Sequence, residues 1–184
     1  MHKIRIHGRG GQGAVTTGQI LASAAFHDGL QSQTFPKFGV ERAGAPVESY
    51  VRIDNKDIHD RSQIYTPDMV LILDPSLLAV KEAKVLEGIA TDGLIIVNSN
   101  KKAEDLKIKG PYTVRSIDAT GIAMEIFKRP IVNTPILGGF SAITRLITLT
   151  SLKKAITDKF KETKGEHIAE LNKKAVEKVF YQIK

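Results

Sequence analysis

The sequence predicts one α/β domain, a mostly parallel sheet with helices on both faces. Three observations predict it. Compact apolar runs, Met69–Leu73 and Gly93–Val97, have the length and composition of buried strands. Helical stretches alternate with such strands, as parallel crossovers require. No linker and no internal repeat divides the 184 residues, so residues 1–184 read as one domain.

The elements follow in order. Lys3–His7 alternates and reads as the first strand. Gly8–Gly13 follows, then a helix of small apolar residues from Ala14 to about Phe26, with Gly29 just past its end. Gln31–Phe35 reads as a second strand and Pro36–Pro46 as a loop. Val47–Ile53 is a third strand, leading through an Asp54-Asn55-Lys56 turn to Asp57–His59. These extra strands suit an antiparallel edge hairpin. After Met69–Leu73, Asp74-Pro75-Ser76 predicts a capped helix running towards Glu87. Gly93–Val97 and Tyr112–Ile117 are further strands, separated by a charged surface stretch. Asp118 or Thr120 opens a helix towards Phe127. Asn133-Thr134-Pro135 starts another, apolar to about Ile147. Ser151–Phe160 and Glu166–Tyr181 are amphipathic helices. The whole pattern is Rossmann-like.

Composition excludes several functions. Hydrophobic residues make up 42% of the chain, enough for a sizeable core. No apolar run approaches the roughly 20 residues that cross a bilayer. The N-terminus alternates like a strand and lacks the apolar core of a signal peptide. The absence of cysteine removes disulfides, thiolate nucleophiles and cysteine ligation of zinc or iron–sulfur clusters. It suits a reducing cytoplasm. His2, His7, His27, His59 and His167 do not pair at metal-ligand spacing, so no metal site is expected.

The net charge is +7, and residues 151–184 carry nine Lys against five acids. Those lysines interleave with acids at helical spacing, as in Lys154–Asp158 and Glu170–Lys174. That is the pattern of a solvated helix face. With no Trp and no basic–aromatic interleaving, a nucleic-acid partner is not expected.

The strongest motif is Gly8-Arg9-Gly10-Gly11-Gln12-Gly13, a Gly-x-Gly-x-x-Gly between a strand and a helix. Glycines allow close backbone approach, and a helix start offers unpaired N–H groups to an anion. Arg9 adds a permanent charge, and Gln12 can donate or accept. The same glycines would also serve a bare strand-to-helix turn. A dinucleotide needs an acid about 20 residues on, at the end of strand two. Gln31-Ser32-Gln33-Thr34-Phe35-Pro36 has none, so NAD is disfavoured while another phosphate-bearing ligand is not.

Two further motifs stand out. Phe35–Pro46 brackets the pair Glu41-Arg42 with prolines and glycines, which suits a restrained functional loop or a surface turn with an ion pair. Asn133-Thr134-Pro135-Ile136-Leu137-Gly138-Gly139 combines a helix start with two helix-interior glycines. Those cost about 1 kcal/mol each against Ala and imply close approach by another helix or chain. Helix capping and packing account for the segment more simply than ligand contact does.

Together these motifs resemble the gamma subunit of 2-oxoacid:ferredoxin oxidoreductases, in particular those acting on pyruvate or 2-ketoisovalerate. The matching stretches are His7–Thr16, Phe35-Pro36, Phe38–Arg42, Gly44–Val47, Leu73–Leu78, Asn133-Thr134 and Leu137-Gly138. Many members carry a second Arg after the Glu-Arg pair, where this chain has Ala43. The resemblance implies an assembled enzyme that decarboxylates a 2-oxoacid on thiamine diphosphate. It would pass electrons through 4Fe–4S clusters to ferredoxin and form acyl-coenzyme A. It implies alpha, beta and delta-type partner chains that carry the thiamine and the clusters. This chain alone would hold no cofactor and would be inactive. In that setting Gly8, Gly10, Gly11, Gln12 and Gly13 would face a phosphate or an interface, and Arg9 and Arg42 would contact an anion. Glu41 would orient Arg42, and Asn133 would join the same site. Exposed apolar surface around Ile136–Phe140 and Ile143 would make the isolated chain prone to self-association. The competing reading is a free-standing nucleotide- or dinucleotide-binding protein.

Overall fold

The computed structural model describes residues 1–37 and 43–183. Six strands form one sheet in the order β2-β3-β1-β4-β5-β6. They are β1 (His2–Arg9), β2 (Gln31–Pro36), β3 (Pro46–Asp54), β4 (Met69–Ile72), β5 (Leu94–Asn98) and β6 (Thr113–Ile117). β1, β4, β5 and β6 run parallel, with Ile6 opposite Leu71 and Leu71 opposite Ile96. β3 is antiparallel to both β1 and β2. The antiparallel pair at this edge matches the expected hairpin, with one refinement. β3 enters between β1 and β2, which α1 (Ala14–His27) connects. Asp57–His59 adds no strand.

Strand alternation sorts side chains to two faces. Ile4, Ile6, Val51, Ile53 and Leu71 point into one core, completed by α1, α2 (Ala119–Phe127), α3 (Pro135–Thr144), α4 (Leu149–Lys164) and α5 (Glu166–Ile183). Val70, Ile72, Ile95 and Val97 point the other way and pack on Leu77, Ala83 and Val85. Helical cover therefore lies on both faces, but its form differs. Residues 75–87 do not make the expected α-helix. They form 3₁₀ turns at Pro75–Ala79 and Lys81–Ala83, with Val80 extended between them. The cause is tertiary. The buried Arg5 side chain donates through Nη2 to the carbonyls of Val85 (3.0 Å) and Glu87 (2.7 Å), so those oxygens face the sheet. Lys84 at φ 46° turns the chain to present them.

Two helix boundaries also move. α3 stops at Thr144 because Arg145 adopts φ 55°. α4 starts earlier than expected, at Leu149, because Thr148 caps it and Asp28 at the end of α1 caps it again. Asp28 accepts from the Thr148 N–H, the Thr148 hydroxyl and the Ser151 hydroxyl, each at 2.7 Å. The Gly138-Gly139 pair lies inside the domain. A methyl on Gly138 would strike the Val176 carbonyl of α5, and one on Gly139 would strike Ile117 of β6. Close helix approach is the right explanation, and the neighbour is within this chain. Ile136, Leu137 and Phe140 are fully buried and offer no exposed patch. No helix among the described residues is long and apolar enough to cross a membrane.

Candidate functional site

The parallel strands point their carboxyl ends at one edge of the sheet, where loops of this architecture carry function. Four segments meet there: the turn after β1, the segment at Gly44–Pro46, the turn after β4, and the approach to α3. Arg9 ends β1, and Gly10–Gly13 lead into α1. The Gly10 N–H donates to the Ala45 carbonyl (2.8 Å), and the Gly44 N–H donates back to Gly10 (3.2 Å). The Arg9 N–H donates to Gln12 Oε1 at 2.7 Å, which closes the glycine turn on itself.

Asp74 is the hub. Its Oδ2 accepts from Arg9 Nε (3.1 Å) and Gln12 Nε2 (2.9 Å), while Oδ1 accepts from the Ser76 N–H (3.0 Å) and hydroxyl (2.6 Å). Partial burial pushes this carboxyl up. The hydrogen bonds from Ser76 and Gln12, with the charge of Arg9, more than offset that and hold it below the usual carboxylate range. The sequence marks Asp74 as a candidate at a strand end, and its place before Pro75 explains it as a helix cap. It caps, but it also clamps the glycine loop. The signal was its position at the end of a buried strand, facing the loop across neighbouring parallel strands.

Arg9 is accordingly fully engaged. Besides Asp74, it donates through Nη2 to Ser76 Oγ (2.7 Å) and through Nη1 to the Gly44 carbonyl (3.0 Å). Asn133 lies against Gly13, although 120 residues separate them in sequence. Gly13 sits at φ +83°, and a Cβ built there would lie 2.9 Å from Asn133 Nδ2. Only glycine suits both the conformation and the space. Thr17 ties the two together, donating its hydroxyl to the Gly13 and Asn133 carbonyls at 3.0 Å. Glu41 and Arg42 lie outside the described residues.

A cleft of about 720 Å³ opens between the glycine turn and the 130–133 segment. Gly11–Gly13, Thr16 and Asn133 form its polar side, and Ile131, Val132 and Phe160 its apolar wall. Asn98 and Thr120 extend it into a second cleft of about 590 Å³ over the ends of β5 and β6. On the other side of the loop, Arg9, Ala14, Ala43 and Val47 line a cleft of about 420 Å³. Among the described residues no three His, Asp or Glu side chains gather as a metal site. The sheet order also bears on the dinucleotide reading. β3 occupies the place beside β1, so the end of β2 does not adjoin the glycine loop as a ribose-holding strand would.

The chain has clear relatives. The family model described as pyruvate ferredoxin/flavodoxin oxidoreductase matches residues 3–181. Pyruvate synthase subunit PorC of Methanocaldococcus jannaschii is 48% identical over 183 residues, covering 100% of this chain and 97% of its own. The common gamma subunit of the pyruvate/ketoisovalerate oxidoreductases of Thermococcus kodakarensis is 50% identical over 183 residues, covering 98% and 96%. Among solved structures, the pyruvate oxidoreductase subunit PORC of Thermotoga maritima superposes with a TM-score of 0.82 at 34% identity, over 98% of this chain and 95% of that one. A full-length match in sequence and in fold settles the family: this chain belongs to the pyruvate ferredoxin/flavodoxin oxidoreductases, among their gamma-type subunits.

Proposed function

We propose that the chain is the non-redox gamma subunit of an enzyme that oxidatively decarboxylates a 2-oxoacid, pyruvate first, to acyl-coenzyme A, with ferredoxin as electron acceptor. The full-length family match carries this reading. The residue content supports the division of labour. The chain has no cysteine, so it has no thiolate with which to hold an iron–sulfur cluster. The clusters and thiamine diphosphate then belong to alpha, beta and delta-type partner chains. Thiamine diphosphate supplies the carbanion chemistry, and the clusters supply electron transfer.

This chain's contribution is positional. The glycine edge faces the route by which coenzyme A reaches the active site. Gly10–Gly13 offer close backbone approach, Asn133 adds a carboxamide, and Arg42 carries a charge two positions before Gly44 in the sequence. Arg9 fixes the loop's shape through Asp74, Ser76 and Gly44. The test is co-expression with the partner subunits. The purified complex is assayed for coenzyme A-dependent reduction of a low-potential dye by pyruvate, 2-ketoisovalerate and 2-oxoglutarate. Activity on one acid supports the reading, and a chain that never joins such a complex overturns it. In the complex, the double variant Arg9→Ala, Arg42→Ala should raise the KM for coenzyme A at least about tenfold, the scale of losing a charge-assisted hydrogen bond. An unchanged KM removes the arginines from the site.

A further inference from the structure

We infer that the groove between the end of α3, the start of α4 and the end of α5 is a subunit interface, which takes an apolar segment bearing a carboxylate from a catalytic partner chain. Its place in the fold comes first. α1 runs from the glycine turn to Asp28, and Asp28 caps α4 through Thr148 and Ser151. α3 starts beside Gly13, next to Asn133, and ends at Thr144. The length of that helix, about 15 Å, separates the groove from the glycine edge. A chain seated here leaves the glycine edge free.

The groove holds about 530 Å³. Ala142, Ile147, Leu149, Phe180 and Ile183 supply its apolar lining, and all but Ile147 are partly open to solvent. Tyr181 is 62% exposed and stands edge-on to Phe180, with ring centroids 5.4 Å apart. Apolar surface therefore continues from the groove onto the last turn of α5. Contiguous open surface of this kind marks contact with another chain. The patch that the sequence suggests, at Ile136–Phe140, is buried and does not serve.

Charge selects the occupant. Both hydroxyls of the groove are used within the chain: Ser141 donates to the Ile147 carbonyl (2.8 Å) and Thr148 to Asp28 (2.7 Å). Arg145 is the one charged residue lining the groove. It is exposed, and no acid among the described residues pairs with its guanidinium. Asp28 is spent on Thr148 and Ser151. The Arg145 backbone is committed too, at φ 55° with its N–H donating to the Ser141 carbonyl (2.9 Å). A basic or wholly apolar segment would bury that charge unpaired, which is costly. A carboxylate beside apolar side chains satisfies both the lining and the charge. The inference rests on the functional reading above for the existence of the partner chain.

Arg145→Glu tests it in the co-expressed complex, with a wild-type copy competing for the same partners. Mass spectrometry of the purified complex should find the variant under-represented by about tenfold or more, the scale of losing a charge-assisted contact. Arg145→Lys should incorporate nearly as well as the parent. Lys154→Glu makes the same charge change at an exposed position of α4 outside the groove, and should incorporate normally. Equal incorporation of Arg145→Glu overturns the interface. Should that variant fail to fold, a photo-crosslinking residue in place of Tyr181 decides the matter in the assembled enzyme. Capture of a partner peptide with Asp or Glu next to an apolar residue supports the inference. Capture of a second copy of this chain, or of no partner peptide, overturns it. A wild-type chain that joins no complex sinks the functional reading and this inference with it, whereas a complex indifferent to Arg145 sinks this inference alone.

Discussion

His7 shows how a single residue couples burial to pH. It is 1% exposed, and Arg5 Nε donates to its Nε2 at 2.9 Å. Burial first, and then the Arg5 charge, lower its pKa to about 4. The unfolded chain takes up the proton near pH 6.5, while the folded chain resists it. Stability should therefore fall as the pH drops from about 6.5 to about 4, by about 3 kcal/mol in all. Urea midpoints across that window measure it, and His7→Gln, which accepts from Arg5 without titrating, should flatten the curve. Asp28 repeats the balance seen at Asp74. Partial burial raises its pKa, but the Ser151 and Thr148 hydrogen bonds win and lower it. Its contribution is complete at neutral pH and is lost as the pH falls through that lowered value. Asp28→Ala should cost about 1–2 kcal/mol by chemical denaturation at pH 7. At this scale the sequence was only half legible. Gly8–Gly13 and Asn133 stood out through local pattern. The engagement of Arg9 by Asp74 did not, because 65 residues separate the partners and nothing local marks the pairing.

Among the elements, strands were easier to read than their connections. β4 and β5 are short runs buried on both faces, and such runs announce themselves by composition. The segment after β4 misled because it has helix-forming residues and a capping Asp. Its actual path follows from Arg5, whose donors need the carbonyls of Val85 and Glu87. A local propensity of tenths of a kcal/mol yields to a buried guanidinium. The α3–α5 contact teaches the converse. Gly138 looked costly inside a helix, and its cost is met by an approach so close that the Val176 carbonyl fills the space of a side chain. Gly138→Ala should separate the two helices and cost about 2–4 kcal/mol. Thermal unfolding would report it, and a variant as stable as the parent would mean that the helices adapt freely.

For the molecule as a whole, the fold class, the single domain and the family were all legible, since each rests on patterns spread along the full chain. What remained hidden was the place of β3, because alternation identifies a strand without naming its neighbours. That placement governs how the chain must assemble. β1 is made before both of its partners, which are β3 on one side and β4 on the other, reaching to Ile72. α1 can carry β2 into place earlier, but only around a vacant slot. Until Pro46–Asp54 arrives, both β1 and β2 present unpaired edges towards that slot. The nascent chain is thus exposed to wrong strand pairing for as long as it takes to synthesise β3.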